Sequence, residues 1–353
     1  MIKLEQLREQ FDKNHADGLI VMSPYNRRYL TGFTGTAGVV LITEDRAMFI
    51  TDFRYTAQAE DQIFGFEIIE HQGPIHEEVA AQVKKAGLKR VAFEKDHVTF
   101  SQYETWKDAL DAELKPVSGL VEKMRLIKTP EEIDVIQKAV DIADAAFEHI
   151  QTYIKPGVRE IDVSNELEFF MRKKGAASSS FDIIVASGFR SALPHGVASD
   201  KTIESGELVT LDFGAYYKGY CSDITRTVAV GEVDEKLKKI YHTVLEAQLR
   251  GVNHIKPGMT GIEADALTRD YIKSEGFGEY FGHSTGHGMG MEVHEGPGLS
   301  FRSEQKLEPG MVVTVEPGIY VAGTGGTRIE DDIVITEDGN RILSKSSKEL
   351  IVL

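Results

Sequence analysis

The sequence predicts an α/β N-terminal domain over residues 1–125 and an α+β C-terminal domain over residues 126–353, the second built on an internal pseudo-two-fold repeat. Three observations carry this reading. A length of 353 residues makes two domains the natural division. Up to residue 125, short apolar runs alternate with helix-like stretches. Beyond it, Ile154-Lys155-Pro156-Gly157 returns as Ile255-Lys256-Pro257-Gly258. Each copy follows an apolar helix and precedes a second helical stretch, and each has an isoleucine seven residues after its first, Ile161 and Ile262.

In the N-terminal domain, residues 18–22, 38–43, 47–51, 66–70 and 90–94 read as strands of a mixed sheet, and residues 3–15, 75–86 and 100–112 as helices. No cluster of metal-ligand residues assembles there. The C-terminal domain opens on a helix start, with Thr129 as N-cap, Pro130 at the first helical position and Glu132 at the third. Ile133, Ile136, Val140, Phe147, Ile150 and Ile154 recur at helical spacing, and Pro156-Gly157 is expected to stop the helix. Two helix–helix–strand halves would form one sheet with helices on one side, and a site would form at their seam.

Composition excludes some functions. The chain is 41% hydrophobic and 27% charged, as in soluble globular proteins. Its 56 acidic and 40 basic side chains leave a charge of −16, which speaks against nucleic acid and anionic membrane surfaces as partners. The single cysteine, Cys221, excludes an intramolecular disulfide and suits a reducing compartment. The start of the chain lacks the basic-then-apolar layout of a signal peptide. No apolar run approaches the ~20 residues of a membrane span. The expected location is the cytoplasm.

The chemistry concentrates in five residues: Asp212 in VTLDFG, Asp223 in CSDITRT, His287 in HSTGHGMG, Glu316 in TVEPG and Glu330 in GTRIEDD. Carboxylates embedded in apolar, β-branched runs repel one another and are costly to desolvate, so they belong together only around positive charge. A pair of divalent ions is the simplest source. A turn centred on Tyr217-Lys218 would place Asp212 directly opposite Asp223, where like charges are unfavourable unless a cation lies between. An acidic hairpin surface is the alternative reading of that pair. Glu316 ends the apolar run 311–315, and strand alternation puts Arg328 and Glu330 on one face. Arg328 there would orient a ligand or bind an anionic substrate group, unless it forms only a surface salt bridge. His287 lies among glycines that allow close backbone approach, flanked by His283 and His294, with His195 in LPHG a weaker fourth candidate.

Hard carboxylate oxygens with one imidazole suit manganese, cobalt, iron or zinc. Such ions make ionised water available near neutrality, and a neighbouring glutamate could serve as general base and then acid. Competing motifs fail. There is no HExxH and no GxSxG, and Cys221, near Asp223, is expected to be a packed residue with its thiolate suppressed.

These residues, in this order, resemble the pita-bread metallopeptidase family, and the likeness covers 126–353. Residues 1–125, with SPYNRRYLTGFTG the most telling stretch, resemble the N-terminal domain of its creatinase and prolidase members. The resemblance implies the pita-bread fold and an Xaa-Pro peptidase, with two divalent ions, manganese first and cobalt, zinc or iron as alternatives. It implies metal ligation by Asp212, Asp223, His287, Glu316 and Glu330. It makes Glu316 the proton-transfer group, puts His195 and His294 at the scissile carbonyl, and puts His283 and Arg328 near the proline-side carboxylate. The substrate would be a proline-containing dipeptide or short peptide, cut before proline by ionised water, and the assembly a homodimer. A dipeptidase of the prolidase type leads, with an aminopeptidase acting on longer peptides as the alternative. Less favoured are a creatinase-like C–N hydrolase and a non-catalytic binding module, since both go with loss of ligands.

Overall fold

Caps and turns set the boundaries of the elements, and those boundaries position everything that follows. The computed structural model describes residues 2–353. It divides into two compact units, one up to Arg125 and one from Leu126 onward.

The first unit is a six-stranded mixed sheet in the order Glu67–Glu70, Ala47–Thr51, Val39–Thr43, Gly18–Val21, Arg90–Glu94, Glu113–Val117. The first five strand expectations are met within a residue. Glu113–Val117 is an additional edge strand, half exposed and carrying Pro116 without a break in register. The N-terminal helix is Ile2–Arg8 alone, followed by a separate 3-10 turn at Asp12–Asn14 that ends where His15 takes a left-handed φ of 51°. The helix Phe100–Ala109 stops short of residue 112 where Leu110 becomes extended. The most telling stretch also forms an unexpected helix, Pro24–Thr31, capped by Ser23 and ended by Gly32 at φ 76°. Its Arg27 is buried and donates to the carbonyls of Gly38 and Gly35 at 2.8 and 3.1 Å. A core of Ile20, Leu41, Met48, Val79, Val83, Val91 and Trp106 holds helices to this sheet.

In the second unit, the capping box at Thr129 and Glu132 starts the helix Pro130–Ile150 as expected. The helix ends at Ile150 and not at Pro156-Gly157. Residues 151–153 form a turn, and Ile154 reaches the core from outside the helix.

The duplicated tetrapeptide marks a duplicated structure. Gly157 N–H donates to Ile203 O and Gly258 N–H to Leu307 O. Ile203 N–H donates to Val158 O and Leu307 N–H to Met259 O. Ile161 N–H donates to Ser199 O and Ile262 N–H to Ser303 O. Helices Pro130–Ile150 and Glu160–Lys173 pack on the strands of the first copy around Phe147, Val163, Leu167, Leu211 and Phe213. Helices Glu235–His254 and Gly261–Ser274 flank the second, around Val252, Ala264, Val313, Val315 and Ile333. The strands form several short ladders rather than one sheet. Across the seam, Glu330 N–H donates to Thr225 O at 3.1 Å and the Thr227 hydroxyl donates to Arg328 O at 2.9 Å.

Candidate active site

Asp212 lies on strand Glu207–Phe213, nine residues after Ile203, and Glu316 follows strand Val312–Val315, nine after Leu307. The two copies therefore deliver a carboxylate at the same point of the repeat. Asp223 immediately precedes strand Ile224–Val230, and Glu330 immediately precedes Asp331–Ile335. His287 is the middle residue of strand Gly286–Gly288. A Cβ at Gly286 would run into Thr314 O and one at Gly288 into Gly296 O, so glycine on both sides lets this strand sit between its neighbours.

One expected contact is corrected. Asp212 stands opposite Thr225, not Asp223. The turn is Lys218-Gly219, both with left-handed φ (48° and 94°), which moves the hairpin centre by one residue. Asp223 is then a diagonal neighbour on the same face, and Thr225 fills the opposing place. The Thr225 hydroxyl donates to Glu330 Oε2 at 2.6 Å and accepts from Arg328 Nε at 3.1 Å.

All ten positions singled out by sequence for ligation, catalysis or substrate contact reduce to nine residues, and one cavity of about 580 Å³ is lined by every one: His195, Asp212, Asp223, His283, His287, His294, Glu316, Arg328 and Glu330. His287 Nε2 is 3.3 Å from Glu316 Oε1 and 3.8 Å from Asp223 Oδ2. Its Nδ1 lies 3.1 Å from Gly288 O, so Nδ1–H donates there and Nε2 faces the carboxylates with a free lone pair. Ligand atoms of Asp223, His287 and Glu330 all lie within 4.8 Å of one another.

The electrostatics favour a cation among these carboxylates. Burial, then repulsion from Glu330 and Asp212, pushes Asp223 well above the usual carboxylate range. Burial and then Glu316 and Asp212 do the same to Glu330. Glu316 rises to about 8, chiefly through burial, with Arg328 opposing. Burial holds His287 below its ordinary value, as a neutral ligand must be. Asp212 Oδ1 and Asp223 Oδ1 are buried without a hydrogen-bond partner. Unpaired carboxylate oxygens beside a bare imidazole nitrogen fit divalent metal.

Four of the five N–H donors of Arg328 are engaged by the protein. Nη2 donates to Asp212 Oδ2 at 2.5 Å, Nη1 to Tyr320 OH at 2.7 Å and Pro194 O at 3.2 Å, and Nε to Thr225. Tyr320 OH lies 2.8 Å from His283 Nε2, whose ring is drawn down to about 4 by burial and then by Arg328. The neutral His283 ring accepts from Tyr320 there and donates from Nδ1 to Ser284 O. Sequence reasoning missed Thr225 and Tyr320. Thr225 was signalled only by lying two residues past Asp223 in ITRT, and Tyr320 by nothing local. Cys221 is buried, and burial foremost lifts its thiol to about 12, so it is a packed residue.

Residues 134–337 match metallopeptidase family M24, and residues 3–127 match the creatinase/prolidase N-terminal domain. The chain belongs to metallopeptidase family M24. Similar family members include an uncharacterised peptidase of Bacillus subtilis, YqhT, 64% identical over the whole of both chains. A solved Xaa-Pro dipeptidase from Bacillus anthracis is 66% identical, with a TM-score of 0.99 over 100% of this chain and 99% of that one. An X-Pro aminopeptidase structure from Thermotoga maritima is 40% identical, with a TM-score of 0.92 over 98% and 100%. The pita-bread fold, and a family whose members are metal-dependent hydrolases, agree with the geometry above. No helix among the described residues is long and apolar enough to cross a membrane.

Proposed function

We propose that this chain is a dinuclear metal-dependent peptidase that hydrolyses the bond preceding proline in Xaa-Pro dipeptides. The observation that supports it most is the meeting of Asp212, Asp223, His287, Glu316 and Glu330 in one cavity of a chain similar over its full length to an Xaa-Pro dipeptidase. Asp212, Asp223, His287, Glu316 and Glu330 would together hold two divalent ions. We take manganese first, with cobalt, zinc or iron as alternatives, since hard oxygens and one imidazole accept all four. Bound there, the ions would polarise the scissile carbonyl and lower the pKa of water.

The chain's own groups do the rest. Glu316 would take a proton on a carboxylate oxygen and pass it to the departing proline nitrogen. His195 and His294, from different segments, would donate N–H to the carbonyl oxygen as charge develops. Arg328, braced by Tyr320, holds Asp212 in place and would line the proline end with His283.

A second reading, an aminopeptidase for longer peptides, is favoured by one feature. Arg328 is the sole arginine or lysine among the described lining residues, and four of its five N–H donors are already taken by the protein. A free proline carboxylate would have to compete with Asp212 for it. A length series separates the two. Hydrolysis of Ala-Pro with manganese, and at least about tenfold lower kcat/KM on Ala-Pro extended by one or two residues, supports the dipeptidase. The reverse order supports the aminopeptidase. Cleavage of neither, with metal bound, rejects both. A cytoplasmic homodimer completes the proposal, and light scattering on the purified protein tests the assembly.

A further inference from the structure

Each copy of the repeat carries one histidine into the cavity on the segment that returns from its first site strand. In the second copy His294 lies on residues 289–302, and that segment forms its own strand, Glu295–Leu299, laddered to Gly286–Gly288. In the first copy His195 lies on residues 188–198, which contain only a 3-10 turn and one isolated bridge, Val197 to Ile184. A carboxylate stands where the ladder is missing. Glu160 opens helix Glu160–Lys173 and is fully buried. Its Oε1 accepts from Ser187 N–H at 2.7 Å and the Ser187 hydroxyl at 2.9 Å. Its Oε2 accepts from Arg190 Nε at 2.9 Å, Ser199 N–H at 3.2 Å and the Ser199 hydroxyl at 2.6 Å. These partners bracket the His195 segment at both ends. Arg190 closes it further by donating from Nη2 to Val197 O. At the tip, Pro194 O accepts from Arg328, which also holds Asp212.

The equivalent position in the second copy is Gly261, three residues after Gly258 as Glu160 is after Gly157. A Cβ there would meet Gly298 O and Ser303, so the helix start packs directly on the returning backbone and needs no side-chain clamp. The carboxylate is present only in the copy whose histidine segment has no strand.

We propose that Glu160 is a positioning residue that fixes His195 at the reacting carbonyl. A single acceptor that gathers five donors from the two ends of an eleven-residue segment sets its span, and hence where its tip lies. The inference rests on the proposed role of His195, and the test keeps the two apart. kcat and KM on Ala-Pro at saturating manganese are compared for the wild type, Glu160→Gln, His195→Ala and the double variant, with manganese affinity measured by calorimetry. His195→Ala is expected to lose about 10²-fold in kcat. Glu160→Gln is expected to lose about 10-fold or more in kcat, with KM and manganese affinity within about 2-fold. In the His195→Ala background Glu160→Gln should change kcat by less than about 2-fold, since there is no longer an imidazole to misplace. A purely structural role would cost the same in both backgrounds, and that additivity would overturn the proposal, as would full activity of Glu160→Gln. If Glu160→Gln does not fold, Ser199→Ala removes one donor and leaves the carboxylate. Its smaller kcat loss must likewise vanish without His195, and persistence of that loss overturns the proposal. Full activity of His195→Ala would instead sink the catalytic reading of that histidine.

Discussion

The two copies of the repeat share a scaffold and divide the chemistry unequally. The first supplies Asp212, Asp223 and Thr225, and the second supplies His287, Glu316 and Glu330. The backbone around each Ile-Lys-Pro-Gly is nearly superimposable in its hydrogen bonds, down to the paired strand residues Ile203 and Leu307. The imidazole proposed as a ligand, however, comes only from the second copy, where Gly286 and Gly288 let strands approach closely enough to hold it between them. The first copy answers Asp212 with a cation, Arg328, reaching over from the second. Duplication fixed where carboxylates meet, and side-chain divergence then decided which half offers a ring nitrogen and which half is held by an arginine.

The sharpest way to break this comparison is to remove one shared carboxylate from each copy. Asp223→Asn and Glu330→Gln should each lower kcat/KM on Ala-Pro by more than about 10³-fold, beyond the 10–100-fold usual for groups outside the ligand shell. Bound manganese should fall in both, as read by elemental analysis after dialysis. If one variant keeps its activity, its copy contributes scaffold and not chemistry. Next in size are the two histidines. His294→Ala should cost about 10²-fold in kcat with metal retained, matching His195→Ala if both donate to the same developing charge. A loss confined to one of them would assign the oxyanion to a single copy.

The sequence made the carboxylates legible because charge inside β-branched runs is costly and therefore meaningful. It made the helix at Thr129 legible because the capping box is local. What it hid is non-local or sterically exceptional. Lys218 adopts a left-handed φ that a lysine rarely takes, and that one residue displaced Asp223 from its expected partner. Thr225 looks like an ordinary strand residue until the second copy brings Glu330 and Arg328 to its hydroxyl. Arg328 could be read as ligand-orienting or substrate-binding, and only the 2.5 Å contact with Asp212 favours the first. The helix Pro24–Thr31 was hidden by its shortness and by a buried arginine whose carbonyl partners lie beyond it.

Thr225→Val probes that seam directly. It deletes the hydroxyl shared by Glu330 and Arg328 while keeping shape, and it should weaken manganese binding by about 10-fold in calorimetry, with a smaller loss of kcat. Stability of the metal-free protein probes the same crowding through pH. Glu316, Asp223 and Glu330 have folded pKa values above their unfolded ones. Their stabilising contribution is complete below the unfolded values and is lost as pH rises through the folded ones. The buried histidines, with folded pKa values below the ordinary one, act in the opposite sense and only beneath about 6.5. Between pH 6.5 and 8 the carboxylates stand alone, so the thermal midpoint in EDTA should fall across that window, with the share of Glu316 levelling off as it ionises near 8. Added manganese should flatten the slope. A midpoint that rises with pH in EDTA would mean the carboxylates are not crowded without metal.

The smallest effect tests the symmetry itself. Gly157 and Gly258 both have positive φ, 94° and 85°, and a Cβ at either would point into open space. Gly157→Ala and Gly258→Ala should therefore cost only backbone strain, about 1–2 kcal/mol each, and by equal amounts in urea unfolding. At Gly261, which has no left-handed φ, the cost of Gly261→Ala comes instead from collision with Gly298 O and Ser303, about 1–3 kcal/mol. Equal costs at 157 and 258 would show that the two turns remain interchangeable in energy as well as in hydrogen bonding. Unequal costs would locate the divergence of the copies in the turn itself, upstream of the side chains that do the chemistry.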